Sequence, residues 1–341
     1  SDGKTAQLLT EVKVLNRNDT SESKNIKRVL YTLPDASHLT NIGFNRGYYH
    51  DRQSLGIWVP AGKTLTIRLA NGEEFKKDLE LTFMNNDSAT ENMSTIYEKE
   101  GEETYISDPA SIITIPSNGE WTTVKNRYVN EDGTEGSADS VPFIITPKDT
   151  TVRPVIEIQW SDDLKEIPYY RYGDDEKEFF ATWDASKAPY EIVEGDAATF
   201  LVPIVDRDRI IDYPDPNKRE EYKFKTIDEM LEWYAAFVKQ YDAYSGLDFD
   251  ASEPCNQNIR AKFFIKVNYH GAGAAYYSPD HSAMNADKNE GGYNSDGSLF
   301  GYLTRDWLSL HEFGHGYEGN LALQEHPYVE TTNNIMAYYF E

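Results

Sequence analysis

The sequence has a single cysteine, Cys255, among 341 residues. No disulfide can therefore form within the chain, and cysteine pairing gives no information about the redox compartment. No apolar run approaches the ~18 residues that would span a bilayer. The residues that follow Ser1 show no signal-peptide core. We therefore expect a mature or trimmed soluble chain with no membrane span.

Positive charge is also scarce. The sequence contains 33 lysine and arginine residues against 58 aspartate and glutamate residues, which gives a net charge of -25. A charge of this sign and size repels nucleic acid and anionic membrane surfaces, and we expect neither as a partner. No Gly-x-Ser-x-Gly elbow and no phosphate-binding glycine loop is present, and Cys255 lies in no recognisable nucleophile signature.

The composition that remains is that of a folded protein with room for two domains, because 39% of the residues are hydrophobic and 13% are aromatic. Residues 1–25 are polar without periodicity and predict a flexible lead-in. Residues 26–160 contain short apolar runs separated by turn signals, which favours a β-sandwich. The predicted strands are Gly56 to Val59, Leu65 to Leu69, Leu79 to Phe83, Ser111 to Ile115, Pro142 to Thr146 and Val155 to Trp160.

The remaining chain has a different pattern. We interpret the charged and aromatic residues 161–190 as a connection between domains. A helix is predicted over Thr226 to Tyr244, where Thr226 and Glu229 form a capping box and Gly246 closes the C-terminus. Ala261 to Asn268 is predicted to be a strand. The whole pattern predicts a multidomain α+β protein whose second domain covers residues 191–341.

The most informative motif is His-Glu-Phe-Gly-His over residues 311–315. On a helix of 3.6 residues per turn, His311 and His315 lie one above the other and can bind the same zinc ion. Glu312 can then act as a general base that takes a proton from the activated water and passes it to a leaving amine. The apolar residues Trp307, Leu310 and Phe313 would bury the opposite side of this helix.

A catalytic zinc needs a third protein ligand. A metzincin site would require glycine and histidine at the positions that hold Glu318 and Leu321, so this class is excluded. We interpret Glu318 as a group behind a zinc-binding histidine or as a solvated side chain. The other candidates after His315 are Glu325, His326, Glu330 and Glu341.

Glu330 is the strongest of these candidates. Pro327 suits the first turn of a new helix, which would place Glu330 in that helix and Asn334 one turn later on the same face. The result has the form of a gluzincin site with Asn333 or Asn334 orienting the ligands. The alternatives are that Glu330 only favours a helix N-terminus electrostatically, and that His326 is the third ligand.

The chain resembles a known family at this point. Residues 311–317 followed by 329–335 are similar to the active-site segment of the enhancins and related bacterial mucin-degrading zinc peptidases. Residues 55–67 and 194–203 resemble two further segments of these proteins, in the same order. The resemblance covers the chain from about residue 50 to its end.

The resemblance implies a secreted zinc endopeptidase that cleaves heavily O-glycosylated, mucin-like proteins. It implies Zn²⁺ ligation by His311, His315 and Glu330 with Glu312 as the base, in a zincin-type domain that is incomplete at its C-terminus. Sialylated or sulfated mucin would be repelled at long range by the negative chain, so recognition would depend on short-range contacts. The alternative is a glycoprotein- or carbohydrate-binding module with an inactive or incomplete zinc site; oligomeric state is left open.

Three tyrosines are candidates for contact with substrate. By analogy with gluzincins, in which an edge strand binds the substrate backbone, residues 271–284 would form a cleft wall that carries Tyr276 and Tyr277. A loop with no ligand role is an equal alternative. Tyr317 could stabilise the oxyanion or pack beneath the helix. Residues 287–298 are rich in Asp, Asn and Gly but lack regular calcium-ligand spacing, which favours a plain loop.

Overall fold

The structure is a computed structural model. It describes residues 25–34, 47, 49–86, 94–99, 102–107, 112–129, 135–214, 220–248, 250–253, 256–259, 261–269, 273–286, 294, 296–318 and 329–340. Among these residues, no helix combines the length and the apolar character needed to cross a membrane.

The N-terminal half is built from short strands and one helical turn. In chain order these are β1 (Asn25–Val29), β2 (Arg52–Ser54), β3 (Ile57–Trp58), β4 (Thr64–Leu69), α1 (Gly72–Phe75), β5 (Leu79–Met84), β6 (Ser94–Lys99), β7 (Glu102–Ser107), β8 (Ile112–Ile115), β9 (Thr122–Lys125), β10 (Tyr128–Val129), β11 (Glu135–Gly136), β12 (Val141–Ile145), β13 (Val155–Gln159) and β14 (Lys165–Glu166).

Two four-stranded antiparallel sheets organise this half, with strand orders β1-β13-β4-β9 and β2-β12-β5-β8. In β4, Leu65, Ile67 and Leu69 are buried and alternate with partly exposed residues. Such alternation places one face of a strand against a core. That core is shared with Leu81 of β5 and Ile144 of β12, so the two sheets pack face to face.

The C-terminal half contains a second set of elements. They are β15 (Tyr169–Arg171), α2 (Glu176–Ser186), β16 (Tyr190–Glu194), β17 (Ala198–Pro203), α3 (Ile227–Tyr244), β18 (Phe263–Asn268), β19 (Ala275–Tyr277), β20 (Ser282–Asn285), α4 (Trp307–His315) and α5 (Val329–Phe340).

The six strands of this half form one mixed sheet in the order β15-β16-β17-β18-β20-β19. Every residue of β16, β17 and β18 is buried. Continuous burial requires cover on both faces. One face packs against the helices in a large aromatic core, and the other packs through Phe264 and Leu201 against Phe143 and Met84 of the N-terminal half. The two halves therefore lie against each other through a buried apolar contact.

The segment over residues 161–190 differs from the connection that the sequence predicts. It contains β15, which pairs in parallel with β16, and helix α2, whose Trp183 is fully buried in the C-terminal core. The strand is only three residues long, and too short to show a period. In the structure this segment is therefore mostly part of the C-terminal sheet and its core.

Thr226 caps helix α3 as the sequence predicts, whereas the Glu229 carboxylate bonds the residue before the cap. The Thr226 hydroxyl accepts a hydrogen bond from the Glu229 backbone at 3.0 Å, and the Glu229 carboxylate accepts one from the Lys225 backbone at 2.6 Å. The first bond satisfies an N–H group that would otherwise be unpaired in the first turn of the helix, and the second fixes the chain just before it. Gly246 follows the helix with a φ of 70°, which suits glycine.

Candidate metal centre

Helix α4 carries the His-Glu-Phe-Gly-His motif. Its N-cap is Asp306, whose carboxylate accepts a hydrogen bond from the Leu308 backbone at 3.3 Å. Leu310 and Phe313 are buried, and the Phe313 ring lies 4.5 Å from that of Phe263 in β18. Trp307, which the sequence places in the same apolar stripe, is 38% exposed because it starts the helix at its outer end. The buried stripe fixes the rotation of α4 and leaves the histidines on the opposite side.

The two histidines are oriented by hydrogen bonds from their Nδ1 atoms. His311 Nδ1 lies 2.8 Å from Asn334 Oδ1, and His315 Nδ1 lies 2.8 Å from Glu318 Oε1. Both partners are oxygen acceptors, so each Nδ1 carries the proton and each Nε2 keeps its lone pair. This tautomer is the one that a metal requires when Nε2 is the ligand.

Glu330 meets the histidines from the first turn of α5. Its Oε2 lies 3.3 Å from His311 Nε2 and its Oε1 lies 3.9 Å from His315 Nε2. One ligand atom from each of the three residues lies within 4.8 Å of the others. Helix α5 begins at Val329, so the predicted placement of Glu330 in the first turn of a new helix is confirmed.

The ligand set fits a zinc ion. Ligands at about 2.0–2.1 Å around a tetrahedral centre lie about 3.4 Å from one another, and the distance from His311 Nε2 to Glu330 Oε2 is 3.3 Å. Two nitrogen ligands and one carboxylate are a known donor set for catalytic zinc, which keeps its fourth position open. Each histidine also has the hydrogen-bonded partner that such ligands usually have.

Close packing of α4 and α5 brings the three residues together. A Cβ atom added to Gly314 would lie 2.5 Å from the Asn333 Cβ and 2.7 Å from its Cα. Only glycine leaves room for this approach. Asn333 is fully buried at the crossing, and its Nδ2 lies 3.1 to 3.5 Å from both ring nitrogens of His315. The similar distances to the two nitrogens indicate that the amide packs against the face of the ring.

Glu312 is 7% exposed on the same helix. Burial raises the pKa of its carboxyl group, while the neighbouring charges of His311 and His315 oppose the rise. A general base works best when its pKa is moved from the ordinary carboxyl value toward the operating pH. The environment of Glu312 therefore suits proton transfer.

The predicted tyrosines fall in different places. Tyr276 and Tyr277 lie in β19, the strand at the margin of the sheet next to α4, and both are partly buried. The Tyr276 hydroxyl lies 3.1 Å from His281 Nε2. The Tyr277 hydroxyl accepts a hydrogen bond from the Gly47 backbone at 3.3 Å.

For Tyr317 the structure shows packing beneath the helix, the second of the two alternatives, and not a contact with substrate. The residue is fully buried, and its hydroxyl donates to Asp242 Oδ1 of α3 at 2.9 Å. The side chain packs beneath α4, on the side away from the histidines, because it follows Leu310 and Phe313 at helical spacing. Tyr317 therefore does not reach a substrate.

Two other candidates cannot be placed in full. His326, the alternative third ligand, lies outside the described residues. Residues 287–298, weighed as a calcium loop, are described only at Asn294 and from Asp296 onward. Asn294 is bonded within the protein, since its Oδ1 accepts a hydrogen bond from the Ser298 backbone at 2.8 Å.

Comparison with known families identifies the class of this chain. The model for peptidase M60, enhancin and enhancin-like proteins matches residues 165–341. The chain therefore belongs to the M60 family of metallopeptidases, which confirms the resemblance seen in the motif segments. A comparison with curated proteins gives no match.

Solved structures of low sequence identity share the fold. The catalytic module of the metalloprotease ZmpA from Clostridium perfringens is similar with a TM-score of 0.62 and 16% identity, over 92% of this chain and 57% of that one. The M60 catalytic domain of ZmpC from the same organism, in complex with the sialyl T antigen, gives 0.57 and 16%, over 92% and 56%. A functionally unknown conserved protein mutant from Bacillus anthracis gives 0.62 and 11%, over 92% and 55%. The chain thus spans about half the length of these structures.

Proposed function

We propose that the chain carries the zinc centre of an endopeptidase in which His311, His315 and Glu330 bind Zn²⁺. The observation that carries this proposal is the meeting of the three ligand atoms within 4.8 Å on two helices that the fold packs together. We interpret the C-terminal half as a zincin-type domain of gluzincin form, and the two-sheet N-terminal half as a β-sandwich domain.

The chemistry divides between the metal and the protein. Bound zinc would supply a Lewis acid that activates water and polarises the scissile carbonyl group. Glu312 would accept the proton of that water and return it to the leaving amine. Glu318 and Asn334 would hold the two imidazoles in the ligating tautomer.

Strand β19 is our candidate for the wall that holds the substrate backbone. It pairs with β20 and lies close to α4. A Cβ atom added to Gly316, the residue after α4, would lie 2.8 Å from the Tyr277 hydroxyl. An extended peptide could pair with such a margin strand by main-chain hydrogen bonds.

We further propose that the substrate is an O-glycosylated, mucin-like protein and that the whole protein acts outside the cell. The M60 domain of ZmpC was solved with the sialyl T antigen, which supports a glycosylated substrate class. With a net charge of -25, the chain would recognise such a substrate by short-range contacts, since it would repel a sialylated one at long range.

Metal content tests the ligand set. Purified His315→Ala should lose most of its zinc, and Glu330→Ala should lose a clear share, when both are compared with the parent chain by elemental analysis. The assignment would be wrong if Glu330→Ala kept full zinc while His326→Ala lost it.

The Glu312→Gln variant tests the chemistry. Glutamine keeps the shape of the side chain but cannot accept the proton, so zinc content should be unchanged and hydrolysis of an O-glycosylated protein should fall by about 10²–10⁴-fold. Hydrolysis by the variant within threefold of the parent rate would exclude Glu312 as the base. Full zinc with no hydrolysis by the parent would favour a binding module.

A further inference from the structure

The turn between β19 and β20, residues 278–281, is held by the N-terminal half of the molecule. His50 is fully buried, and its Nε2 donates a hydrogen bond to the Ser278 backbone oxygen at 2.8 Å. Its ring is stacked on Tyr277, the last residue of β19, with centroids 4.7 Å apart. His50 Nδ1 accepts from the Phe264 backbone at 3.3 Å, so one imidazole connects β18 to this turn.

Arg52 in β2 holds the same turn from a second direction. Its guanidinium donates to the Asp280 backbone oxygen at 2.6 Å and lies 3.5 Å from Asp280 Oδ2. The guanidinium also lies 4.7 Å from the centroid of the Phe264 ring. The Arg52 side chain is 2% exposed. A buried arginine with both a carboxylate and a carbonyl partner makes strong, directional contacts.

The electrostatic environment keeps both contacts constant across the physiological range. Burial lowers the pKa of His50 to about 3, so its ring stays neutral and its Nε2–H group keeps donating to the Ser278 oxygen. Burial alone would raise the pKa of Asp280, but His281 and Arg52 outweigh it and hold that pKa well below its usual range. These partners keep Asp280 ionised beside Arg52.

Strand β19 depends on this turn because it lies at the margin of the sheet. Within the described residues its only strand partner is β20. A three-residue strand with one neighbour has few backbone bonds to fix its direction. The contacts from His50 and Arg52 meet it at its C-terminal end, where Tyr277 lies against α4.

We propose that His50 and Arg52 are positioning residues that set strand β19 at the right distance from the metal-binding helix for a substrate backbone to pair with it. The N-terminal half would thus take part in substrate binding without touching the substrate. This inference rests on the proposed peptidase function for its substrate, whereas the anchoring of β19 stands on the contacts alone.

The anchoring is tested by comparing two arginines. Arg68 in β4 also has a carboxylate and an aromatic partner, Glu157 at 2.6 Å and the Trp121 ring at 4.5 Å, but it is 35% exposed and lies in the other N-terminal sheet. In hydrogen exchange measured by mass spectrometry, Arg52→Met should speed exchange across residues 275–285. Arg68→Met should leave that segment unchanged. Equal exchange in both variants would overturn the anchoring.

The effect on substrate is measured by binding, so that turnover is not needed. The comparison is made in zinc-loaded protein that carries Glu312→Gln. There, Arg52→Met should raise the Kd for an O-glycosylated mucin peptide by about tenfold or more, since a small misplacement of a remote positioning group can cost up to ~10²-fold. Arg68→Met should keep the Kd. Zinc content should stay the same in both, which separates positioning from loss of the metal site.

A second pair of variants checks His50. Glutamine places a donor where Nε2 lies, so His50→Gln should keep most of the affinity for the mucin peptide. His50→Leu has no donor there and should raise the Kd as much as Arg52→Met does. A loosened hairpin with an unchanged Kd would overturn the positioning role. Absence of any binding by the parent, with the hairpin anchored as described, would instead overturn the proposed function.

Discussion

At the scale of single residues, the candidate site depends on groups that do not touch the metal. Glu318 is 5% exposed and accepts a hydrogen bond from His315 Nδ1. Burial lowers the pKa of His315, but the hydrogen bond and charge of Glu318 outweigh it and raise that pKa. A negative charge behind an imidazole makes it a better ligand.

We therefore predict that Glu318→Ala weakens zinc affinity by about 10–100-fold, measured by competition with a chelator. Glu318→Gln keeps an oxygen acceptor and loses only the charge, so its affinity should fall between those of the parent and the alanine variant. Parent affinity in the alanine variant would show that Glu318 has no part in orienting His315.

The sequence predicted these residues unevenly. The spacing of His311 and His315 is enough to bring them together on any helix, and Glu330 follows from the new helix that Pro327 indicates. The choice between Asn333 and Asn334 was left open because adjacent helix positions point about 100° apart. Only the crossing with α4 shows that Asn334 Oδ1 bonds His311, while the Asn333 amide lies against both imidazole rings.

At the scale of elements, the packing of α4 against α5 brings Glu330, the proposed third ligand, close to the two histidines. A glycine inside a helix normally costs about 1 kcal/mol relative to alanine, so Gly314→Ala would stabilise an isolated α4. In the protein the added Cβ would lie 2.5 Å from Asn333 and force the helices apart.

We predict that Gly314→Ala lowers both the Tm and the zinc affinity. The clash should outweigh the helical gain because overpacking costs about 1–3 kcal/mol. The two quantities are measured by thermal unfolding and by chelator competition. A higher Tm with parent zinc affinity would show that α5 is not seated as the structure has it.

Elements were easier to predict than their neighbours in space. The strands at β4, β5 and β13 follow from alternating apolar residues and turn signals. The position of β15 could not be predicted in this way, because three residues are too few to show an alternating pattern. Its pairing with β16 is set by the assembled sheet. The roles of His50 and Arg52 were also hidden, since their contacts lie more than two hundred residues along the chain.

At the scale of the whole molecule, one buried acid links stability to pH. Burial raises the pKa of Asp206 from 3.8 to about 7, although the Leu299 backbone and the Ser298 hydroxyl donate to it. The folded state thus holds this proton more tightly than the unfolded state. Its contribution to stability is present below pH ~4 and is lost as the pH rises to about 7.

We predict that Asp206→Asn removes this loss. The amide resembles the protonated acid in shape and can bond both the Leu299 backbone and the Ser298 hydroxyl. The Tm of the variant should exceed that of the parent increasingly between about pH 4 and 7 and by a constant amount above that, with a difference in unfolding free energy of at most about 4 kcal/mol. Parallel Tm profiles for the two proteins would show that Asp206 does not titrate in this window.

The net charge makes a second prediction at this scale. A chain at -25 repels sialic acid, and salt screens charges over about 8–10 Å at 0.1–0.15 M. For the proposed peptidase activity, raising the salt concentration should therefore lower the KM for a sialylated glycoprotein while leaving the KM for the desialylated form nearly constant. Steady-state kinetics on the two forms measure this difference. Identical salt responses would mean that overall charge has no influence on capture.

The margin strand β19 also bears on the solution behaviour of the protein. A strand that can template a peptide can equally template a strand from another copy of the chain. Its three residues offer space for very few intermolecular bonds, and the turn after it is tied down by charged and aromatic partners. In the proposed role, shortness and firm attachment together would let β19 pair with a substrate while offering few backbone bonds to another copy of the chain.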